Sequence, residues 1–166
     1  MIPNLKGTGV ALITPFHDDL SIDFTSLENL LAHVRPYVNY LVVCGTTGES
    51  ATLQVSEEIE LLARVKELNN GSLPIVYGMG SNDTREVLRQ IEQFDLSDVS
   101  AILSISPYYN KPTQAGIINH FSIIADASPV PVILYNVPGR TSSKLSAETT
   151  IELSKHENIM GIKEAS

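Results

Sequence analysis

Tyr40-Leu41-Val42-Val43-Cys44, followed without a break by Gly45-Thr46-Thr47-Gly48-Glu49-Ser50, is the stretch whose repetition decides the fold. An apolar run of strand length ends in a glycine-bounded turn, and the amphipathic segment Ser56–Leu68 follows. Ser56 is placed to cap that helix, and Ile59, Leu62, Ala63 and Lys66 recur at helical spacing. Similar runs stand at Gly9–Thr14, Pro74–Tyr77, Ala101–Ser104, Val132–Tyr135 and Ile159–Lys163. They are apolar at nearly every position, as parallel strands covered on both faces should be.

Amphipathic stretches separate the runs. Phe24–Arg35 begins after Asp23, a good N-cap, and Asp83–Phe94 opens on an acid. Thr113–Ala125 follows Pro112, and Ser146–Ser154 carries Glu148 in its first turn. Asn70-Gly71 is a turn signal between elements. The order β-α-β-α-β-α-β-α-β-α-β means α/β with a parallel sheet. A doubly wound sheet would accept six strands, but strand ends at Cys44, Tyr77, Ser104, Tyr135 and Lys163 recur every ~30 residues, the period of a TIM (β/α)8 barrel. No G-x-G-x-x-G follows the first strand, which weakens the dinucleotide-binding alternative. The expectation is therefore that residues 1–166 are the N-terminal part of a single TIM-barrel domain, about the first six βα units, with the last two strands absent.

Composition is that of an ordinary globular domain and argues against disorder: 43% hydrophobic and 18% charged residues, with a net charge of −8. Such acidity disfavours nucleic acid and anionic membranes as partners. Cys44 is the only cysteine, so no intrachain disulfide forms. No secretory signal is evident, and Val10–Ile13 is far shorter than the ~20 residues a membrane span needs. A cytoplasmic location is the default expectation. His17, His33, His120 and His156 lack metal-site spacing, so no metal is expected.

Polar residues gather where strands end, the active-site face of a barrel. After the second run, the amides and hydroxyls of Gly45–Ser50 could nest a carboxylate, or simply make a tight turn. After the fourth, Pro107-Tyr108-Tyr109-Asn110-Lys111-Pro112 puts two phenols on a stiffened loop, as proton donors or as packing. After the fifth comes Tyr135-Asn136-Val137-Pro138-Gly139-Arg140-Thr141. Alternation puts Ile133 and Tyr135 on one face and Leu134 on the other, and Arg140 in a Pro-Gly loop could grip a carboxylate. The sixth run, Ile159-Met160-Gly161-Ile162-Lys163-Glu164, ends in a lysine. At a strand mouth it would be partly desolvated, which favours the neutral, nucleophilic amine; the plainer readings are a snorkelling lysine or one paired with Glu164.

Together these segments resemble the dihydrodipicolinate synthase family, within the wider pyruvate-lyase (N-acetylneuraminate lyase) superfamily. The similarity runs through Gly7–Pro15, Gly45–Leu53, Pro107–Asn110, Tyr135–Thr141 and Gly161–Ala165, in order. The resemblance implies a TIM-barrel lyase of lysine and diaminopimelate biosynthesis, usually a homotetramer, that condenses pyruvate with aspartate semialdehyde. It also implies that a C-terminal helical region is absent from residues 1–166. Lys163 matches the Schiff-base lysine, and Tyr135 the tyrosine beside it. Thr46 and Tyr109 match its partners in a proton relay, the second tyrosine reaching across from a neighbouring subunit. Thr47 matches a pyruvate-carboxylate binder, and Arg140 the arginine that receives the semialdehyde carboxylate. No cofactor is implied, since the covalent imine on Lys163 is the electron sink. Ser50, Ala51, Asn82, Glu86 and Tyr108 match a feedback lysine site found in some members, but two histidines found there are replaced by Val55 and Glu58. Alternatives are a sister enzyme (N-acetylneuraminate lyase or a keto-deoxy sugar-acid aldolase) and, in another class, an inactive truncated barrel that only binds or assembles. The second threonine of Gly45-Thr46-Thr47-Gly48 and the Gly139-Arg140-Thr141 segment favour the synthase.

Overall fold

The computed structural model describes residues 3–166. They form two compact units, one of Pro3–Gly78 with Ser97–Ser100, the other of Met79–Leu96 with Ala101–Ser166.

The first unit holds β1 (Gly9–Ala11), α1 (Phe24–Val34), β2 (Tyr40–Val43), α2 (Val55–Asn69) and β3 (Ile75–Gly78). Its strands pair in parallel, β1 with β2 and β2 with β3, and Val43 lies opposite Tyr77. Asp23 caps α1 as expected, accepting from the Ser26 amide at 2.9 Å. Ser56 does not cap α2. The helix starts one residue earlier, because the Glu57 carboxylate turns back to accept the Gln54 amide at 2.7 Å. Leu27 and Leu31 of α1, Leu41 of β2 and Leu61, Leu62 and Val65 of α2 are buried in the core. The turn at Asn70-Gly71 uses two left-handed residues, as the pair of residue types predicts.

The second unit holds α3 (Thr84–Gln93), β4 (Ala101–Ile105), α4 (Gln114–Ala127), β5 (Val132–Asn136), a single turn α5 (Pro138–Thr141), α6 (Ala147–Leu153) and β6 (Ile159–Glu164). Here β4 pairs with β5 and β5 with β6, all parallel. Asp83, Thr113 and Ser146 are the N-caps of α3, α4 and α6. Phe121, Ile117 and Ile124 of α4 are fully buried beside β5, whose Val132, Leu134 and Asn136 are at most 1% exposed. Asn158, just before β6, ties the strand entry to the end of α4, its amide donating to the carbonyls of Ala125 at 2.8 Å and Ser128 at 2.9 Å.

Arg140 was read as standing in a Pro-Gly loop. It lies instead on α5, where Pro138 supplies the fixed φ of a first helical turn. Among the described residues no helix is long and apolar enough to cross a membrane.

Gly78 meets backbone where Gly7 and Gly9 of the same unit meet side chains. Its backbone abuts the Cys44–Gly45 peptide so closely that a Cβ there would collide with the Cys44 carbonyl, and backbone on both sides leaves nothing flexible to give way. Gly78→Ala is expected to lower stability by about 3 kcal/mol, the upper end for overpacked sites. Chemical denaturation checks this, and an unchanged midpoint would show that β3 can slide.

Candidate active site

In the second unit the site is built on strand register. Along β5, Val132, Leu134 and Asn136 form the buried face beside the helices, and Ile133 and Tyr135 the opposite one. β6 enters with Ile159 opposite Val132, then slips: Ile133 pairs with Gly161, so Met160 is an extra residue. The slip carries Ile162 to Leu134, Lys163 to Tyr135 and Glu164 to Asn136. Without it, Lys163 would share the face of Ile159 among the helices.

Lys163 extends over its cross-strand neighbour, with Nζ 4.3 Å from the centre of the Tyr135 ring. A cationic amine there meets the ring's negative face. The pairing of Lys163 with Glu164 does not occur. The two point to opposite faces, and Glu164 is held by Asn136, whose amide donates to both carboxylate oxygens at 2.8 and 3.0 Å. Those bonds, with the Ser166 contacts behind them, hold the Glu164 carboxyl below the usual range. Asn136 is itself fully buried and accepts the Leu145 amide at 3.0 Å. It thus pins β6 on one side and the segment entering α6 on the other. Sequence reading passed over Asn136, although a polar residue ending the buried face of an apolar strand is a signal of a committed hydrogen bond.

Residues 161–164 are exposed, as expected for Lys163 on the last of six strands; the partial desolvation expected of it belongs to a closed barrel mouth. Among the described residues β6 pairs only with β5.

Tyr109 and Arg140 lie on adjoining loops of the same unit. The Tyr109 amide donates to the Thr141 carbonyl at 3.3 Å, one residue beyond Arg140. Tyr109 is left-handed at φ 72° and its side chain is 87% exposed. Arg140 is exposed on its helical turn. Asn110 reaches the Asn82 carbonyl at 3.3 Å, bringing Asn82 to the loop that carries Tyr108, and Glu86 of α3 is paired with Arg89.

In the first unit, Thr46 and Thr47 occupy a 3₁₀ turn, Thr46–Gly48, that follows β2 directly, and both are exposed. The turn is anchored at each end. Cys44, buried and left-handed at φ 52°, precedes it, and the Thr14 hydroxyl donates to the Gly48 carbonyl at 2.6 Å. Thr14, the polar end of the first apolar run, is a second residue whose role the sequence signalled without being read. Burial pushes the Cys44 thiol up to about 12, so it is an inert core group, as its apolar context implied. Ser50 and Ala51 sit in the next 3₁₀ turn, and Glu58 in the first turn of α2.

Comparison with known proteins agrees along the whole chain. A model of the dihydrodipicolinate synthetase family matches residues 4–166. Proteins named 4-hydroxy-tetrahydrodipicolinate synthase from Flavobacterium psychrophilum and Cytophaga hutchinsonii are 53% and 51% identical over 161 residues, 96% of this chain. Those alignments take in 55% and 54% of the relatives, so the chain spans about half the length of the curated relatives it matches. The chloride-inhibited dihydrodipicolinate synthase from Acinetobacter baumannii, solved with pyruvate, superposes with a TM-score of 0.94 at 40% identity, over 98% of this chain and 56% of that one. The barrel class expected from the strand period therefore holds, with six strands in this chain and helices after the first five.

Glu58 gives this region a pH dependence. Burial pushes its carboxyl up to about 7 from 4.5. Between pH 4.5 and 7 the folded state holds a proton that the unfolded state has lost, so stability falls as pH rises through this window and is level above it. Glu58→Gln is expected to raise the melting temperature above pH 7 by a few degrees and to leave it unchanged near pH 4. Equal shifts at both ends of that range would mean that the carboxyl titrates like an exposed one.

Proposed function

This chain belongs to the dihydrodipicolinate synthetase family, and we propose that it carries the imine-forming part of a 4-hydroxy-tetrahydrodipicolinate synthase. The observation that supports this most directly is Lys163 Nζ at 4.3 Å over the Tyr135 ring, on a face that the β6 slip selects. A family of this kind needs an amine beside a phenol, and these two residues supply both.

In the proposed reaction the Lys163 amine adds to the ketone carbon of pyruvate, and the carbinolamine loses water to give an imine. The imine draws electrons from the methyl group, which loses a proton to form an enamine. The enamine carbon attacks the aldehyde of aspartate 4-semialdehyde and makes the new carbon–carbon bond. The substrate's own amine then adds to the imine carbon, expels Lys163 and closes the ring. Every step moves a proton, and Tyr135, Thr46 and Tyr109 are assigned to that relay. Thr47 is assigned to the pyruvate carboxylate and Arg140 to the semialdehyde carboxylate, a pairing that suits a planar guanidinium. The imine serves as electron sink, so the proposal includes no metal or organic cofactor.

Tyr109 is assigned to a neighbouring subunit's relay. Its 87% exposure on a loop fixed by its own backbone suits a side chain that works outside its own chain. The assembly proposed is a homotetramer in the cytoplasm, with pyruvate and aspartate semialdehyde as its small-molecule partners. Ser50, Ala51, Asn82, Glu86 and Tyr108 are the proposed feedback site. With Val55 and Glu58 in place of histidines, inhibition by millimolar lysine is proposed to be weak or absent.

Two measurements test the reading on the intact protein. Pyruvate with borohydride should add one pyruvyl-derived mass, on the peptide containing Lys163; a label on Lys111 or Lys144 would overturn the assignment. Arg140→Ala should raise KM for aspartate semialdehyde roughly tenfold or more, the worth of a charge-assisted hydrogen bond, with pyruvate KM within about threefold. Equal rises in both constants would mean that Arg140 holds its loop rather than the substrate.

A further inference from the structure

Arg140 stands on a helix of only four residues, Pro138–Thr141, which propensity alone cannot hold. Its backbone bonds are few: the amides of Arg140 and Thr141 donate to the Val137 carbonyl at 2.9 and 3.1 Å, and that of Ser142 to Pro138 at 2.9 Å. Ser142 then turns left-handed at φ 54°, which a serine adopts only when held. The residue that holds it is Thr141, which is 1% exposed.

The Thr141 hydroxyl accepts the Ser143 amide at 3.1 Å. Its single proton has two acceptors in reach, the Ser143 carbonyl at 2.7 Å and the Val137 carbonyl at 3.2 Å. One hydroxyl therefore spans the turn from before Pro138 to beyond Ser142. Ser143 is also buried, and its hydroxyl lies 3.3 Å from that of Ser106, just after β4. The Thr141 carbonyl points the other way and accepts the amide of Tyr109 at 3.3 Å. Tyr109 is left-handed, a conformation that costs a non-glycine residue about 1 kcal/mol or more unless its neighbours impose it.

We propose that Thr141 is a positioning residue that sets Arg140 and Tyr109 as one unit, its buried hydroxyl closing the turn that carries Arg140 while its carbonyl fixes the backbone of Tyr109. This rests on the roles assigned to Arg140 and Tyr109 above. It adds that the site which takes the second substrate's carboxylate and the phenol offered to the proton relay move together or not at all. Substrate choice and proton transfer then share one determinant that touches neither substrate.

Thr141→Val keeps the shape and the carbonyl and removes the hydroxyl; Thr141→Ser keeps the hydroxyl. In the intact protein the valine variant should raise KM for aspartate semialdehyde and lower kcat, each by about tenfold, with pyruvate KM within about twofold. The serine variant should return all three to within about threefold of the parent. Amide exchange gives a readout independent of turnover. The Tyr109, Ser142 and Ser143 amides should open together in the parent and exchange roughly tenfold faster together in the valine variant. Unchanged kinetics and exchange in that variant would overturn the proposal while leaving the synthase reading intact. A parent protein without condensation activity would instead remove the synthase reading, and the exchange data would still decide the coupling. If the valine variant does not fold, the parent alone decides: a Tyr109 amide that opens separately from Ser143 overturns the proposal.

Discussion

Side chains alternate between the faces of a strand with a period of two, so one extra residue in β6 reverses the face of everything after it. Ile159 needs the helix-side face to be buried, and Lys163 needs the other to reach Tyr135. They are four residues apart, and in a regular strand they would share a face. The slip at Met160 resolves the conflict. It stays in place because the strand is pinned past it: Asn136 grips Glu164 through its side chain and accepts the Ala165 amide through its carbonyl at 2.9 Å. The direction of Lys163 is thus set by a residue on the opposite face of the sheet.

Much of this was legible in the residues and some was not, for physical reasons. The six strands announced themselves because parallel strands are apolar on both faces, and each observed strand overlaps its expected run. Helices α1, α3, α4 and α6 began within a residue of their expected starts because Asp, Thr and Ser caps are local chemistry. Ser56 misled because two cap-like signals lay two residues apart, and Glu57 could bond back only to Gln54. The β6 slip left no local mark: Met160-Gly161 is ordinary strand sequence, and only pairing with β5 reveals it. The exposure of Lys163 was legible from the strand count, since desolvation depends on what lies beyond a strand's far edge. The α5 turn was hidden, because Pro-Gly reads as a loop and the bonds that make it a helix come from amides beyond the pair, those of Arg140, Thr141 and Ser142.

The first unit meets its own positioning problem with backbone contacts in place of side-chain pairs. Gly78 lets β3 press on the Cys44–Gly45 peptide, and the Thr14 hydroxyl takes the Gly48 carbonyl. The turn between them leaves Thr46 and Thr47 exposed. Gly48 serves closeness: a Cβ there would come within 3.1 Å of the Leu12 carbonyl. A turn fixed by its ends can present hydroxyls without spending them on its own structure.

Backbone strain follows the same segments. Among the described residues, eight other than glycine have positive φ. Leu20, Asn70 and Asp98 lie in connecting turns, but Cys44 and Glu49 flank the Thr46–Gly48 turn, Tyr109 and Lys111 shape the tyrosine loop, and Ser142 ends the Arg140 turn. Each costs about 1 kcal/mol or more, and each persists only where neighbours over-determine it. The neighbours are identifiable: the Glu49 amide donates to Thr46, the Ser142 amide to Pro138 and the Tyr109 amide to Thr141. Relaxing any of these residues to the ordinary α or β region would gain local stability and swing a threonine, a tyrosine or an arginine away. A chain selected for stability alone would place glycine at such positions. Keeping larger residues there, with hydrogen bonds that hold them, marks these three loops as places where geometry was retained at the expense of stability.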